Sequence, residues 1–163
     1  MTDSDENFML QAIALAKTKG TDPSDTPIAA IIVRNGIVIS TAVNETADNN
    51  DATAHAEIVA IRRAGAALGS ADLGDATLYS TLQPCGMCSF ASIWANIGRI
   101  VYGAARNQVH EMYFEDRTLS TMDYISDAYK DDLALEGPCL GAECAKLYYR
   151  PNDNVPEAKQ ANK

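Results

Sequence analysis

Basic residues are the scarce charged class in this sequence. Thirteen Lys and Arg stand against 22 Asp and Glu, giving a net charge of −9 and a pI near 4.5. Nucleic-acid binding depends on neutralising phosphates with Lys and Arg, so this balance argues against a polynucleotide partner. The acid is evenly spread. Residues 1–106 hold 7 basic and 11 acidic groups, and residues 107–163 hold 6 and 11, a net −5. Long apolar runs are also missing. A membrane span needs roughly 20 apolar residues in a row, and the longest run here is residues 28–33. The opening MTDSDENF is acidic and has no basic stretch, so no secretory signal and a cytoplasmic location are expected. Cysteine is sparse, with four in 163 residues at positions 85, 88, 139 and 144. That is too few for a disulfide scaffold, and reduced thiols are expected. No internal repeat or low-complexity block occurs.

What remains is an ordinary globular composition, 47% hydrophobic and 21% charged. The length suits one domain, residues 1–150, followed by a polar tail over 151–163. Asp3 or Ser4 can cap a helix running to Lys19, with Phe8, Ala12, Leu15 and Ala16 as its apolar stripe and Gly20 as its stop. Residues 28–33 and 37–43 are β-branched runs joined by Arg34-Asn35-Gly36, a strong hairpin signal. Residues 44–53 read as a polar loop. Further helices are expected over 55–68, 85–97, 118–130 and 140–149, with strands over 76–81, 99–104 and 133–135. Strand–helix alternation after a hairpin predicts an α/β fold with a mixed sheet covered by helices on both faces.

Two segments carry the chemistry, Thr53-Ala54-His55-Ala56-Glu57 and Gln83-Pro84-Cys85-Gly86-Met87-Cys88. Each lies where a loop enters a helix. Cys85 and Cys88, three apart, are neighbours on one turn and can face one ion. The helix N-terminus favours the thiolate form. With the imidazole of His55 they make a Zn²⁺ ligand set, one ion per subunit. Three protein ligands leave a fourth position for water, the catalytic arrangement. Glu57 is the base for that water. It shares no helix face with His55, so the two converge only on a target off the helix N-terminus. A closed structural zinc site drafting His110, Cys139 or Cys144, and a redox CxxC, are the plainer alternatives.

H-x-E followed by P-C-x-x-C is the signature of the zinc deaminases. The sequence resembles the cytidine deaminase superfamily through ATAHAEIVAIRRA and ATLYSTLQPCGMCSFASIWANIGRIVYGA, and also through PIAAIIVRNGIVISTAVN and GAECAKLYY. The resemblance implies a three-layer α-β-α sandwich with a five-stranded mixed sheet. It also implies hydrolytic loss of ammonia from an amino-substituted ring.

Within the superfamily the sequence looks most like the purine branch, which holds bacterial guanine deaminases and tRNA adenosine deaminases. Met112-Tyr113-Phe114-Glu115-Asp116 resembles the Phe-(Asp/Glu)-Asp segment of guanine deaminases. That likeness implies that Glu115 contacts the purine edge and shuttles a proton, with Phe114 and Asp116 beside the substrate. A solvated loop acid is the plainer account of Glu115. Asn44, ending the second strand, is where this branch hydrogen-bonds the base; a turn-forming Asn is the alternative. Backbone N–H groups of Ala56 and the Pro84-Cys85 turn would orient water and product. Ile28 stands where guanine deaminases carry a stacking Phe, and the closing GAECAKL is nearer the tRNA enzymes. The resemblance further implies a homodimer whose C-terminal segment swaps to close the partner's pocket, with Tyr148 or Tyr149 as a lid. Phe90, Ile93, Trp94 and Ile97 read as core or dimer contacts, and Cys139 and Cys144 as small buried hydrophobes. The expected reaction is therefore guanine to xanthine plus ammonia. Adenosine in tRNA, cytosine, another aminopurine, a nucleoside, a pterin or a triazine stands as an alternative substrate, and a structural zinc module as the non-enzymatic reading.

Overall fold

The computed structural model describes residues 1–114, 123 and 133–156. Helix α1 (Asp3–Lys19) opens the chain. Its cap is Thr2 rather than Asp3 or Ser4. Thr2 and Asp5 form a reciprocal capping box, which satisfies two backbone donors that a helix start otherwise leaves open. The buried stripe is Asp5, Met9, Ala12, Ile13 and Ala16, which keeps the expected Ala12 and Ala16 and leaves Phe8 and Leu15 packed at its margin. Phe8 sits at its edge, its ring 5.2 Å from that of Tyr79.

Strands β1 (Ala29–Arg34) and β2 (Ile37–Val43) form the expected hairpin. Asn35 (φ 52°) and Gly36 (φ 75°) take the left-handed backbone of a tight two-residue turn, conformations that Asn and Gly accept readily. A short helix, α2 (Thr46–Asn49), lies in the stretch expected to be loop. Then follow α3 (Ala56–Leu68), β3 (Ala76–Leu82), α4 (Gly86–Trp94), β4 (Arg99–Ala104), β5 (Ala134–Glu136) and α5 (Gly141–Ala145). Helix α4 ends at Trp94, short of Ile97, because Asn96 (φ 59°) leaves the helical backbone and donates to Asp72 across 2.7 Å. Helix α5 is shorter than expected, and the chain tightens into i→i+3 turns at Leu147 and Tyr148. The helix expected over 118–130 lies outside the described residues apart from Asp123.

The five strands form one sheet in the order β2-β1-β3-β4-β5. β1 is antiparallel to both neighbours, whereas β3, β4 and β5 run parallel. Parallel neighbours need a crossover, and α4 supplies it between β3 and β4. Alternation along β1 divides the core. Ile31 and Val33 join Met9, Ile13, Val101 and Leu147 on the side of α1 and α5. Ala30 and Ile32 join Ala60, Leu78, Ile93 and Ile100 on the side of α3 and α4. Each buried Ile or Leu contributes about 1.5–3 kcal/mol. Alanines at 56, 60 and 64 let α3 lie close to the sheet. The result is a three-layer α-β-α fold. Among the described residues no helix is long and apolar enough to cross a membrane.

Candidate metal centre and adjoining cavity

Helices α3 and α4 begin beside one end of the sheet, and their caps are His55 and Cys85. Neither side chain caps its own helix by hydrogen bonding. Both turn instead to a shared point. His55 Nδ1 lies 3.7 Å from Cys85 Sγ and 3.6 Å from Cys88 Sγ. All three ligand atoms fall within 4.8 Å of one another. Tetrahedral zinc with bonds of about 2.3 Å to sulfur and 2.0 Å to nitrogen sets neighbouring ligand atoms about 3.5 Å apart. The residues therefore fit the ion, with Nδ1 as the ligating nitrogen. Among the described residues no fourth His, Cys or acid joins the group. Cys139 and Cys144 are buried in the opposite core layer, and His110 accepts from the Met112 N–H across 3.1 Å.

The thiols are already differentiated. The Cys85 pKa is lowered to about 5, first by the hydrogen bond from Cys88 and then by His55, against the opposing effect of burial. Cys88, hydrogen-bonded to Cys85 and wholly buried, is pushed up. The pair so favours one thiolate without a metal, and a divalent cation would draw off the second proton.

Glu57, in the first turn of α3, is 4% exposed. Burial raises its pKa, with the neighbouring Cys85 charge adding to the rise and His55 opposing it. Ser80, fully buried on β3, donates its hydroxyl to Glu57 Oε1 across 3.2 Å. Nothing in the sequence pattern singles out Ser80. Its only signal is its place on the α3-facing side of a strand.

A cavity of about 290 Å³ adjoins this group, near the lower limit for small-molecule sites. It is lined by Ile28, Asn44, His55, Ala56 and Glu57, all expected site residues, and by Thr26, Thr46, Ala52 and Tyr113. Asn44 Oδ1 accepts from the Thr46 N–H across 3.2 Å, and its Nδ2 donates to Thr26 Oγ1 across 3.0 Å. These bonds orient the amide. Tyr113 is the aromatic residue at the cavity; the Tyr149 N–H donates to its hydroxyl across 3.3 Å, and its ring meets that of Tyr148 edge-on.

Other expected site residues stand elsewhere. Phe114 is buried in the α1-side core with the Arg106 guanidinium 4.8 Å from its ring centroid, and does not line the cavity. Pro84 is buried in the turn ahead of α4. Tyr148 is a core side chain within this single chain, donating to Thr81 Oγ1 across 2.6 Å. Tyr149 is half-buried, and its carbonyl accepts from the His110 N–H. Glu115 and Asp116 lie outside the described residues.

Residues 2–104 match the cytidine and deoxycytidylate deaminase zinc-binding region. The chain is 46% identical over 98 residues to the tRNA-specific adenosine deaminase of Agrobacterium fabrum, covering 60% of this chain and 64% of that one. It is 37% identical over 111 residues to the guanine deaminase of Bacillus subtilis, covering 68% and 71%. A solved structure from work on A-to-I editing by tRNA:A34 deaminases superposes with a TM-score of 0.73 at 34% identity, covering 86% of this chain and 98% of that one. The matched stretch spans less than two thirds of the Agrobacterium relative's own length. With the His and two Cys gathered as a zinc site requires and most of the chain matched, this protein belongs to the cytidine and deoxycytidylate deaminase family.

Proposed function

We propose that the protein hydrolyses the amino group of a free nucleobase or related amino-heterocycle, with guanine the leading substrate, giving xanthine and ammonia. One observation carries this reading. A buried carboxylate, Glu57, lines a base-sized cavity beside a His/Cys/Cys metal centre. When bound, zinc supplies Lewis acidity and lowers the pKa of water in its open position. The rest falls to the chain's own groups. Glu57 accepts a proton from the attacking water and returns protons to the ring nitrogen and the departing amine. The C–N bond breaks, a C=O bond forms, and one water is consumed for each ammonia. Ser80 holds the Glu57 carboxylate in place. Ile28 covers a ring face, Asn44 hydrogen-bonds the ring, and the Ala56 N–H meets water or product. Tyr113 supplies an aromatic ring at the cavity, where the resemblance places Phe114 beside the substrate. The resemblance assigns Glu115 to the N1–H and N2–H edge of guanine, to which a carboxylate is a fitting acceptor, with Asp116 beside it.

A tRNA adenosine deaminase is the second reading, favoured by the 98% of the solved tRNA-enzyme chain that superposes. The charge favours a small substrate, since residues 107–163 carry a net −5 where phosphates would need cations. An ammonia-release screen over guanine, guanosine, adenine, cytosine, pterins and aminotriazines tests the proposal. Turnover of guanine supports it. Salt-sensitive tight tRNA binding with inosine formation overturns it in favour of tRNA.

A homodimer accompanies this reading. An apolar groove of about 600 Å³ between α3 and α4 is lined by Ile58, Ile61, Ala91 and Trp94. Trp94 is 85% exposed and Phe90 41%, a costly display for a lone subunit.

A further inference from the structure

Thr26 stands out at the cavity on two counts. It is a β-branched residue with φ of 48°, a left-handed backbone that such residues rarely adopt. Its backbone is tied on both sides, its N–H to Pro23 and its carbonyl to the Ile28 N–H. The side chain is thereby set against Asn44, 18 residues away.

The hydrogen-bond polarity there is determined by chemistry. The Thr46 N–H can only donate, so Asn44 must present Oδ1 to it. Asn44 then presents Nδ2, which can only donate, to Thr26 Oγ1. Thr26 is thus held as an acceptor, and its own proton points away from Asn44. No acceptor for that proton is found among the described residues. Thr26, Asn44 and Thr46 all line the cavity. The cavity wall therefore offers the Thr26 O–H and the second Nδ2 proton of Asn44, two donors side by side.

We propose that Thr26 is a specificity-determining residue whose hydroxyl, held by Asn44, donates to the 6-oxo oxygen of the substrate. This rests on the base-directed reading above and narrows it. Guanine presents O6 and N7, two adjacent acceptors, whereas adenine presents N7 beside an N6 amino donor. Two donors match both acceptors of the first edge but only N7 of the second. A guanine so held keeps its 2-amino group, on the far edge of the ring, away from Thr26. Thr26 thereby selects a 6-oxo over a 6-amino purine.

The test is calorimetric binding to the zinc-loaded full chain carrying Glu57→Gln, which prevents consumption of the ligand. The probes are 8-azaguanine, with a 6-oxo group, and 2,6-diaminopurine, with a 6-amino group. Adding Thr26→Val should weaken 8-azaguanine by about 3- to 10-fold, the value of one neutral hydrogen bond, and leave 2,6-diaminopurine within about twofold. Thr26→Ser should restore the preference. Thr26→Ala, free of branched-chain strain, repeats the loss if the Val variant folds poorly by circular dichroism. Equal weakening of both probes, or no weakening of either, overturns the role of Thr26. Failure of the Thr26-containing protein to bind either purine overturns the base-directed reading and this one with it.

Discussion

Ser80 Oγ and Glu57 Oε1 lie 3.2 Å apart, hydroxyl donating to carboxylate, where both side chains are shut off from solvent. The contact joins the third strand to the first turn of α3. In the proposed reaction this carboxyl accepts and releases protons in one turnover, which calls for a constant position, and this bond supplies one.

Replacing Ser80 by Ala removes that donor but leaves the metal ligands untouched. We expect kcat to fall about tenfold, in line with the roughly 1–3 kcal/mol lost when a buried polar group is left unpaired, with KM little changed. Ser80→Thr keeps the hydroxyl and should recover most of kcat. Steady-state ammonia release on the best substrate measures both. A change confined to KM would place Ser80 in binding instead.

Glu57→Gln preserves shape and removes the base. Turnover should drop by about 10²- to 10⁴-fold, while zinc content by metal analysis stays near one per chain. Full activity in this variant would refute the assignment of Glu57.

Acid stability should hinge on Asp5. Arg99 grips its carboxylate through two nitrogens, at 2.7 and 3.0 Å, and the Tyr79 hydroxyl adds a third bond at 2.7 Å. Arg99 beside it holds this carboxyl well below the usual carboxylate range. A carboxyl depressed by folding adds stability that is present above its unfolded pKa, about 3.9, and lost as pH falls toward the folded value. Asp5→Asn should cost about 1–3 kcal/mol at pH 7, the range for hydrogen bonds to a charged group, since Arg99 is partly exposed and keeps Glu136 as a partner. The gap between variant and native protein should begin to narrow as pH falls below about 4 and keep narrowing as it falls further. Urea melts from pH 7 down to about pH 2 would show this narrowing; a gap independent of pH would count against it.

Gly103 on β4 meets Cys144 of α5 at close quarters. A Cβ built at Gly103 would lie 2.2 Å from Cys144 Sγ and 2.7 Å from the Thr81 carbonyl oxygen. Gly103→Ala should lower stability by about 1–3 kcal/mol through overpacking, and Cys144→Ala should relieve part of it. A double-mutant cycle of thermal melts gives the coupling, and additive losses would show that the contact is not limiting.

The chemistry was legible where its spacing is local. His-x-Glu and Cys-x-x-Cys each sit at a helix start, so short-range geometry already points their side chains off the helix end. Asn35-Gly36 announced the hairpin for the same reason, through backbone preferences of two residues. The apolar stripe of α1 was legible in Ala12 and Ala16, whereas the burial of Asp5 came from its pairing with Arg99, 94 residues away. Resemblance draws Tyr148 and Phe114 to the site, yet both pack in the α1-side core.

From the sequence alone came the family resemblance, the His55, Cys85 and Cys88 that gather as one group, and the strand–helix alternation. Only the tertiary structure paired Ser80 with Glu57, turned Thr26 onto Asn44, brought Tyr113 to the cavity and buried Tyr148. The reason is physical. Those pairings join residues 18 to 67 positions apart, and no local preference encodes such a contact. Strand register and helix docking decide it, through the packing of the whole core.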